Sequence, residues 1–127
     1  AKNYSKSVFE NIVVKNSKVE NNWQCGGIVG FAEGYSGGTD QTFNNCKVEN
    51  TFVGGTNATA GTLFGLGTVS VAVNDCTATN VNLYTDGLTW SSTQKQYNNF
   101  WVGSLYGRTL TVTNSTETNV VVVDKVM

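Results

Sequence analysis

The chain has 127 residues, enough for one domain with a sizeable core, and its charge is sparse and balanced: eight Lys or Arg against nine Asp or Glu, net −1. That balance argues against the basic footprint of a nucleic-acid or anionic-membrane binder, and no apolar run approaches the ~20 residues of a membrane span. The sequence has no Pro and no His but much Asn, Thr, Val and Gly, a mixture that disfavours long helices and suits strands joined at tight corners.

Residues 1–8, AKNYSKSV, are polar and form either a frayed lead-in or the remnant of an earlier coil. With Ala1 first and no apolar signal segment, the chain is expected to be a processed mature chain or a piece of a longer protein. From Phe9 one phrase is written four times: FENIVVKN at 9–16, FNNCKVEN at 43–50, VNDCTATN at 73–80 and VTNSTETN at 112–119. A second phrase answers the first three, as GGIVG at 26–30, GTLFG at 61–65 and GSLYG at 103–107. Such fixed-order self-similarity, at intervals of 34, 30 and 39 residues, marks a repeat architecture.

Aligned without gaps, the phrases place Ile12, Cys46, Cys76 and Ser115 in one column and Val14, Val48, Ala78 and Glu117 in another of the same parity. Polar residues such as Lys15, Glu49, Thr79 and Thr118 fall between, and this period of two predicts strands with one buried face. A column of Asn16, Asn50, Asn80 and Asn119 predicts a corner whose amides bond from coil to coil. Val19, Val53, Leu83 and Val122 form a further apolar column, and Ile28, Leu63 and Leu105 sit midway between flanking glycines. Those glycines suit corners that need positive φ or close backbone approach. No single unit can bury its own apolar face, so the predicted fold is all-β: a β-solenoid, a right-handed parallel β-helix of about three to four coils starting near 9, 43, 73 and 112.

Insertions at 31–42 and 84–99 interrupt the rhythm and are expected to emerge as surface loops. The last repeat places Ser115 and Glu117 in inward columns, so 111–127 is expected to be a terminal edge or cap, with 120–126 shifting register to close it.

GIVG at 27–30, followed by TLFG at 62–65 and SLYG at 104–107 amid the repeated asparagine phrase, resembles the GLUG-motif repeats of bacterial surface and secreted proteins. The resemblance spans roughly residues 9–122. It implies a β-helical segment of a cell-surface or secreted protein, and it carries over no catalytic residues.

Without His there is no Ser–His–Asp triad and no imidazole metal site, and no fourth ligand completes a site on three cysteines. Cys46 and Cys76 share a column one coil apart, within reach of a disulfide, but parallel stacking aims their Cβ vectors alike. Free buried thiols are therefore expected there, and Cys25 is expected to pack in another column. Parallel β-helices also host polysaccharide lyases and hydrolases, the alternative reading. No outward column, however, stacks two acids in adjacent coils: Lys15 faces Glu49, Asp75 lies between Asn45 and Asn114, and Glu10 lies beside Asn44. The sequons at Asn3, Asn57 and Asn114 are of the kind expected by chance in an Asn- and Thr-rich chain. The expectation is a non-enzymatic scaffold or adhesin-like module needing no cofactor and no metal. Its candidate binding residues are the aromatics in and beside the insertions: Tyr35, Tyr84, Trp90, Tyr97 and Trp101. Among neutral polar groups they suit a glycan or a cell-surface protein partner, unless Trp90 or Tyr97 only pins its own loop to the coil.

Overall fold

The computed structural model describes residues 2–3, 6–21, 23–32, 40–55, 59–85, 94–96, 101–106 and 109–124. Within them the protein is all-β, with sixteen strands and no helix. The first circuit comprises β2 (Ser7–Glu10), β3 (Val13–Lys15), β4 (Lys18–Glu20), β5 (Gln24–Gly26) and β6 (Val29–Ala32), preceded by β1 (Lys2–Asn3). The second comprises β7 (Gln41–Asn44), β8 (Lys47–Gly54), β9 (Thr59–Gly61) and β10 (Phe64–Gly67). In the third, β11 (Val71–Asn74) and β12 (Thr77–Thr85) are followed by β13 (Gln94–Gln96) and β14 (Val102–Tyr106). β15 (Leu110–Thr113) and β16 (Thr116–Asp124) begin a fourth.

The chain visits its sheets in rotation. Sheet I runs β2-β7-β11-β15, and sheet II runs β3-β8-β12-β16, with β4 also on β8. A short sheet III pairs β5 with β9, and sheet IV runs β1-β6-β10-β14-β13. Every pairing is parallel except β13 on β14.

Register follows the repeated phrase. Val14, Val48, Ala78 and Glu117 are paired in succession, as are Val19, Val53, Leu83 and Val122. Stacking puts like on like, so Phe43, Cys46, Val48 and Val53 in the second circuit lose all contact with water. Phe9 lies on Phe43 with ring centroids 5.0 Å apart and planes 14° off parallel. β1 pairs Lys2 with Phe31 and Asn3 with Ala32, one rung beyond β6, so the polar lead-in holds the end of an earlier circuit.

Three expectations need correction. The third glycine phrase is out of register by four residues: Phe64 pairs with Val102 and Leu66 with Ser104, which aligns Gly103 with Gly65 rather than with Gly61. The recurring element is therefore Ile28-Val29-Gly30, Leu63-Phe64-Gly65 and Trp101-Val102-Gly103, and Leu105 belongs to another column. No register shift closes the end either, because β16 stays aligned with β12 from Thr116 to Asp124. Finally, the described glycines of these phrases do not supply positive φ; among described glycines only Gly54 (φ 152°) has it. Their role is close approach: a Cβ on Gly65 would lie 2.8 Å from the backbone nitrogen of Cys25, and one on Gly61 would lie 2.6 Å from that of Gly103.

Candidate functional site

Positive φ belongs to eight Asn and Asp residues in two columns. Asn16, Asn50, Asn80 and Asn119 (φ 49–54°) turn sheet II upon itself, and Asn11, Asn45, Asp75 and Asn114 (φ 49–58°) turn sheet I into sheet II. Asn tolerates this left-handed conformation because its short polar side chain can bond locally. In the first column each Nδ2 donates to the Oδ1 one circuit earlier: Asn50 to Asn16 at 3.1 Å, Asn80 to Asn50 at 3.0 Å and Asn119 to Asn80 at 2.8 Å. In the second, Asn45 donates to Asn11 at 2.8 Å and Asn114 to Asp75 at 2.6 Å. A carboxylate only accepts, so Asp75 cannot pass the chain of donors on to Asn45. The second column was not read as a corner from sequence, although its Asn/Asp uniformity was visible.

At five of the eight corners the next residue closes the turn. Cys46, Cys76 and Ser115 donate to the carbonyl two residues back, at 3.5, 3.3 and 3.0 Å, as do Ser17 and Thr51 at 2.8 Å each. Cys76 Sγ also accepts the Cys46 amide at 3.4 Å, and Ser115 Oγ accepts the Cys76 amide at 3.0 Å. The cysteines are free and buried, as expected, but they serve as corner donors and acceptors and not merely as small hydrophobes. Burial pushes the Cys25 and Cys76 thiols above the ordinary range, so both stay protonated and unreactive at neutral pH.

The candidate binding residues separate. Tyr35, Trp90 and Tyr97 lie outside the described residues. Tyr84 is half-buried on β12, in register with Gly54 and Val123. Trp101 is 1% exposed and takes the inward column of Leu63, so its ring offers no open face to a ligand and it leaves the candidate set. Leu63 is fully buried in the same way. The reason is volume: the site that holds Leu63 in the second circuit takes an indole in the third. Trp23, 54% exposed between β4 and β5, is a surface aromatic that sequence reasoning passed over. Its place among Asn21, Asn22 and Gln24 was the available signal.

Outward chemistry is sparse. Lys15 lies in register with Glu49, yet the ion pair found among the described residues joins Lys18 to Glu20 at 2.8 Å. Lys18 also sits 5.7 Å from the centre of the Phe52 ring. Both partners of that pair are exposed, which limits its worth to about 0–1 kcal/mol. No group of three His, Cys, Asp or Glu residues that could hold a metal occurs among the described residues. Of buried side-chain N and O atoms there, Thr62 Oγ1 lacks a hydrogen-bond partner, and it stands alone. No described helix is long and apolar enough to cross a membrane. No family model, curated protein or solved structure matches the chain.

Proposed function

We propose that the chain is a β-solenoid, a right-handed parallel β-helix of three to four coils, acting as a non-enzymatic scaffold in a bacterial cell-surface or secreted protein. The observation that carries the solenoid reading is the register. The same columns pair circuit after circuit across offsets of 34, 30 and 39 residues, and the asparagine ladder obeys the same offsets. Right-handedness follows the general preference of parallel crossovers. The surface location and kinship with GLUG-type repeats rest on GIVG at 27–30 and on the repeated asparagine phrase.

The non-catalytic reading is supported by how the polar side chains are spent. Asn and Asp at the corners bond to one another along the stack, and no outward column of the paired phrases holds more than one acid. Asn44 donates to Glu10 at 3.4 Å and Asn74 donates to Asn44 at 2.9 Å. A glycan or a cell-surface protein would then be met by the segments that the coil does not need, carrying Tyr35, Trp90 and Tyr97, with Tyr84 at the root of the second. Glycan-array and pull-down binding, alongside turnover assays on a polysaccharide panel, tests this with wild type and a Trp90→Ala/Tyr97→Ala double mutant. Binding without turnover, lost in the double mutant at unchanged stability, is expected. Turnover of any polysaccharide overturns the non-enzymatic reading, and unchanged binding by the double mutant removes these aromatics from it.

A further inference from the structure

The two ends of the stack are built differently. At the far end, sheets I and II stop at β15 and β16, and β13 folds onto the free edge of β14 in the opposite direction. A further parallel strand of sheet IV would need that same edge. The last inward columns there hold Ser115 and Glu117, and any added rung would press on the carboxylate. Among the described residues, sheet IV has no free parallel edge left at this end.

The near end is unfinished. β1 already forms a rung of sheet IV below β6, while among the described residues sheets I and II have nothing below β2, β3 and β4. The spacing is that of a regular circuit: three residues separate β1 from β2, as three separate β10 from β11. The inward residues of this rung, Phe9, Ile12, Val14 and Val19, are all apolar and only partly buried, whereas their equivalents one circuit on are sealed. One face of Phe9 stacks on Phe43. Both corner ladders also end here on donors, since Asn11 and Asn16 accept from Asn45 and Asn50 through Oδ1. Their own Nδ2 groups point the ladder onward and have no partner among the described residues.

We propose that the face beneath β2, β3 and β4 is a docking surface for one more circuit of this same repeat, carried by polypeptide that leads into β1. The inference rests on the solenoid reading. The incoming circuit is defined by chemistry: apolar residues over Phe9, Ile12 and Val14, and side-chain carbonyls to receive the amides of Asn11 and Asn16. It runs parallel, because β1 does.

The test grafts a copy of residues 41–65 directly before Lys2, so that Lys2 and Asn3 take the places of Leu66 and Gly67 in the added circuit. The amides of Lys47 and Phe52 donate to the circuit below them, so their first-circuit equivalents, Val13 and Lys18, should gain acceptors. Hydrogen exchange at Val13 and Lys18 is expected to slow at least about tenfold. Tm should rise at least about 5 °C, and a graft whose copy of Val48 is changed to Asp should do neither. Unchanged exchange in the first graft overturns the proposal. So does protection of Val13 and Lys18 in the ungrafted chain that grows with its concentration, which would make a second copy the occupant. Should the fusion not fold, the same segment as a free peptide decides: protection of Val13 and Lys18 supports the proposal, and no protection at saturating peptide overturns it. Exchange at Lys47 and Phe52 in the ungrafted chain separates the two readings, because fast exchange there breaks the stack itself.

Discussion

Asn50 stands in the middle of the longer ladder, so its replacement separates what the corner needs from what the ladder adds. Its backbone holds φ at 49°, its Nδ2 donates to Asn16 and its Oδ1 accepts from Asn80. Asn50→Ala removes two solvent-accessible hydrogen bonds, worth roughly 0.5–1.5 kcal/mol each, and places a Cβ-bearing residue without local bonding in the left-handed region at about 1 kcal/mol. The sum is roughly 2–4 kcal/mol, a large part of the ~5–15 kcal/mol that holds a domain together. Asn50→Gly loses the same bonds but relieves the backbone, so it should cost about 1 kcal/mol less than Ala. Asn50→Asp keeps the acceptor for Asn80 and loses only the donor to Asn16, repeating the break that Asp75 makes in the other column. Urea unfolding with linear extrapolation gives all three on one scale. The expected order of stability is wild type, then Asp, then Gly, then Ala. If Gly is no better than Ala, the left-handed corner is not what selects asparagine. If Ala costs less than about 0.5 kcal/mol, the ladder is ornamental.

The remaining predictions concern the core and the far end. Val48→Asp should abolish cooperative folding, because it buries an unpaired carboxylate between Val14 and Ala78, whereas the exposed neighbour Lys47→Asp should cost under about 1 kcal/mol; similar melting of the two would mean that the inward face is misassigned. Cys76→Ser should be milder than Cys76→Val despite the polar hydroxyl, because Ser115 already makes the same pair of bonds, whereas Val strands the buried Cys46 amide at about 1–3 kcal/mol; chemical denaturation ranks the two. Desolvation over Ala78 raises the Glu117 carboxyl, so the folded chain keeps that proton to higher pH than the unfolded chain does. The associated stability is present below the ordinary glutamate range and lost as pH rises through the raised value, so Glu117→Gln should stabilise at neutral pH and flatten that limb of the stability–pH curve.

Period-two columns were legible because one buried face forces like residues into line: Val14, Val48 and Ala78 pair as their spacing demands. The Asn16 column was equally plain, four identical residues at one position. The third glycine phrase misled because GSLYG at 103–107 has two glycines at the right separation, whereas the true counterpart keeps only Gly103 of the pair. Composition could not reveal that an indole would replace Leu63 in a column, since that depends on the room left by neighbours. Nor does Gln94–Gln96 carry any alternation that marks a strand, because β13 is specified by the edge of β14 and not by its own pattern. The aromatic site fared worst for the same reason. Exposure is a tertiary property, and it removed Trp101 while bringing forward Trp23.

Two residue types divide the labour of bending this chain, and the division explains why the stack has a direction. Glycine serves where one circuit presses on the next, as Gly61 does on Gly103, and any side chain there would meet backbone. Asparagine serves where the chain turns outward, and because its amide has a donor end and an acceptor end, each corner hands a hydrogen bond to the circuit before it. A glycine corner would turn equally well but would leave neighbouring circuits free to slip. An aspartate corner turns and accepts, yet stops the transmission, as Asp75 does. The ladder therefore fixes the order of circuits as well as their spacing. Among the described residues it ends on amide donors without a side-chain partner at Asn11 and Asn16, beside an apolar rung, and on side-chain acceptors at Asn114 and Asn119, in the circuit of Glu117. The ladder itself could be lengthened at either end; what distinguishes the far end is Glu117 in the inward column and β13 on the edge of β14.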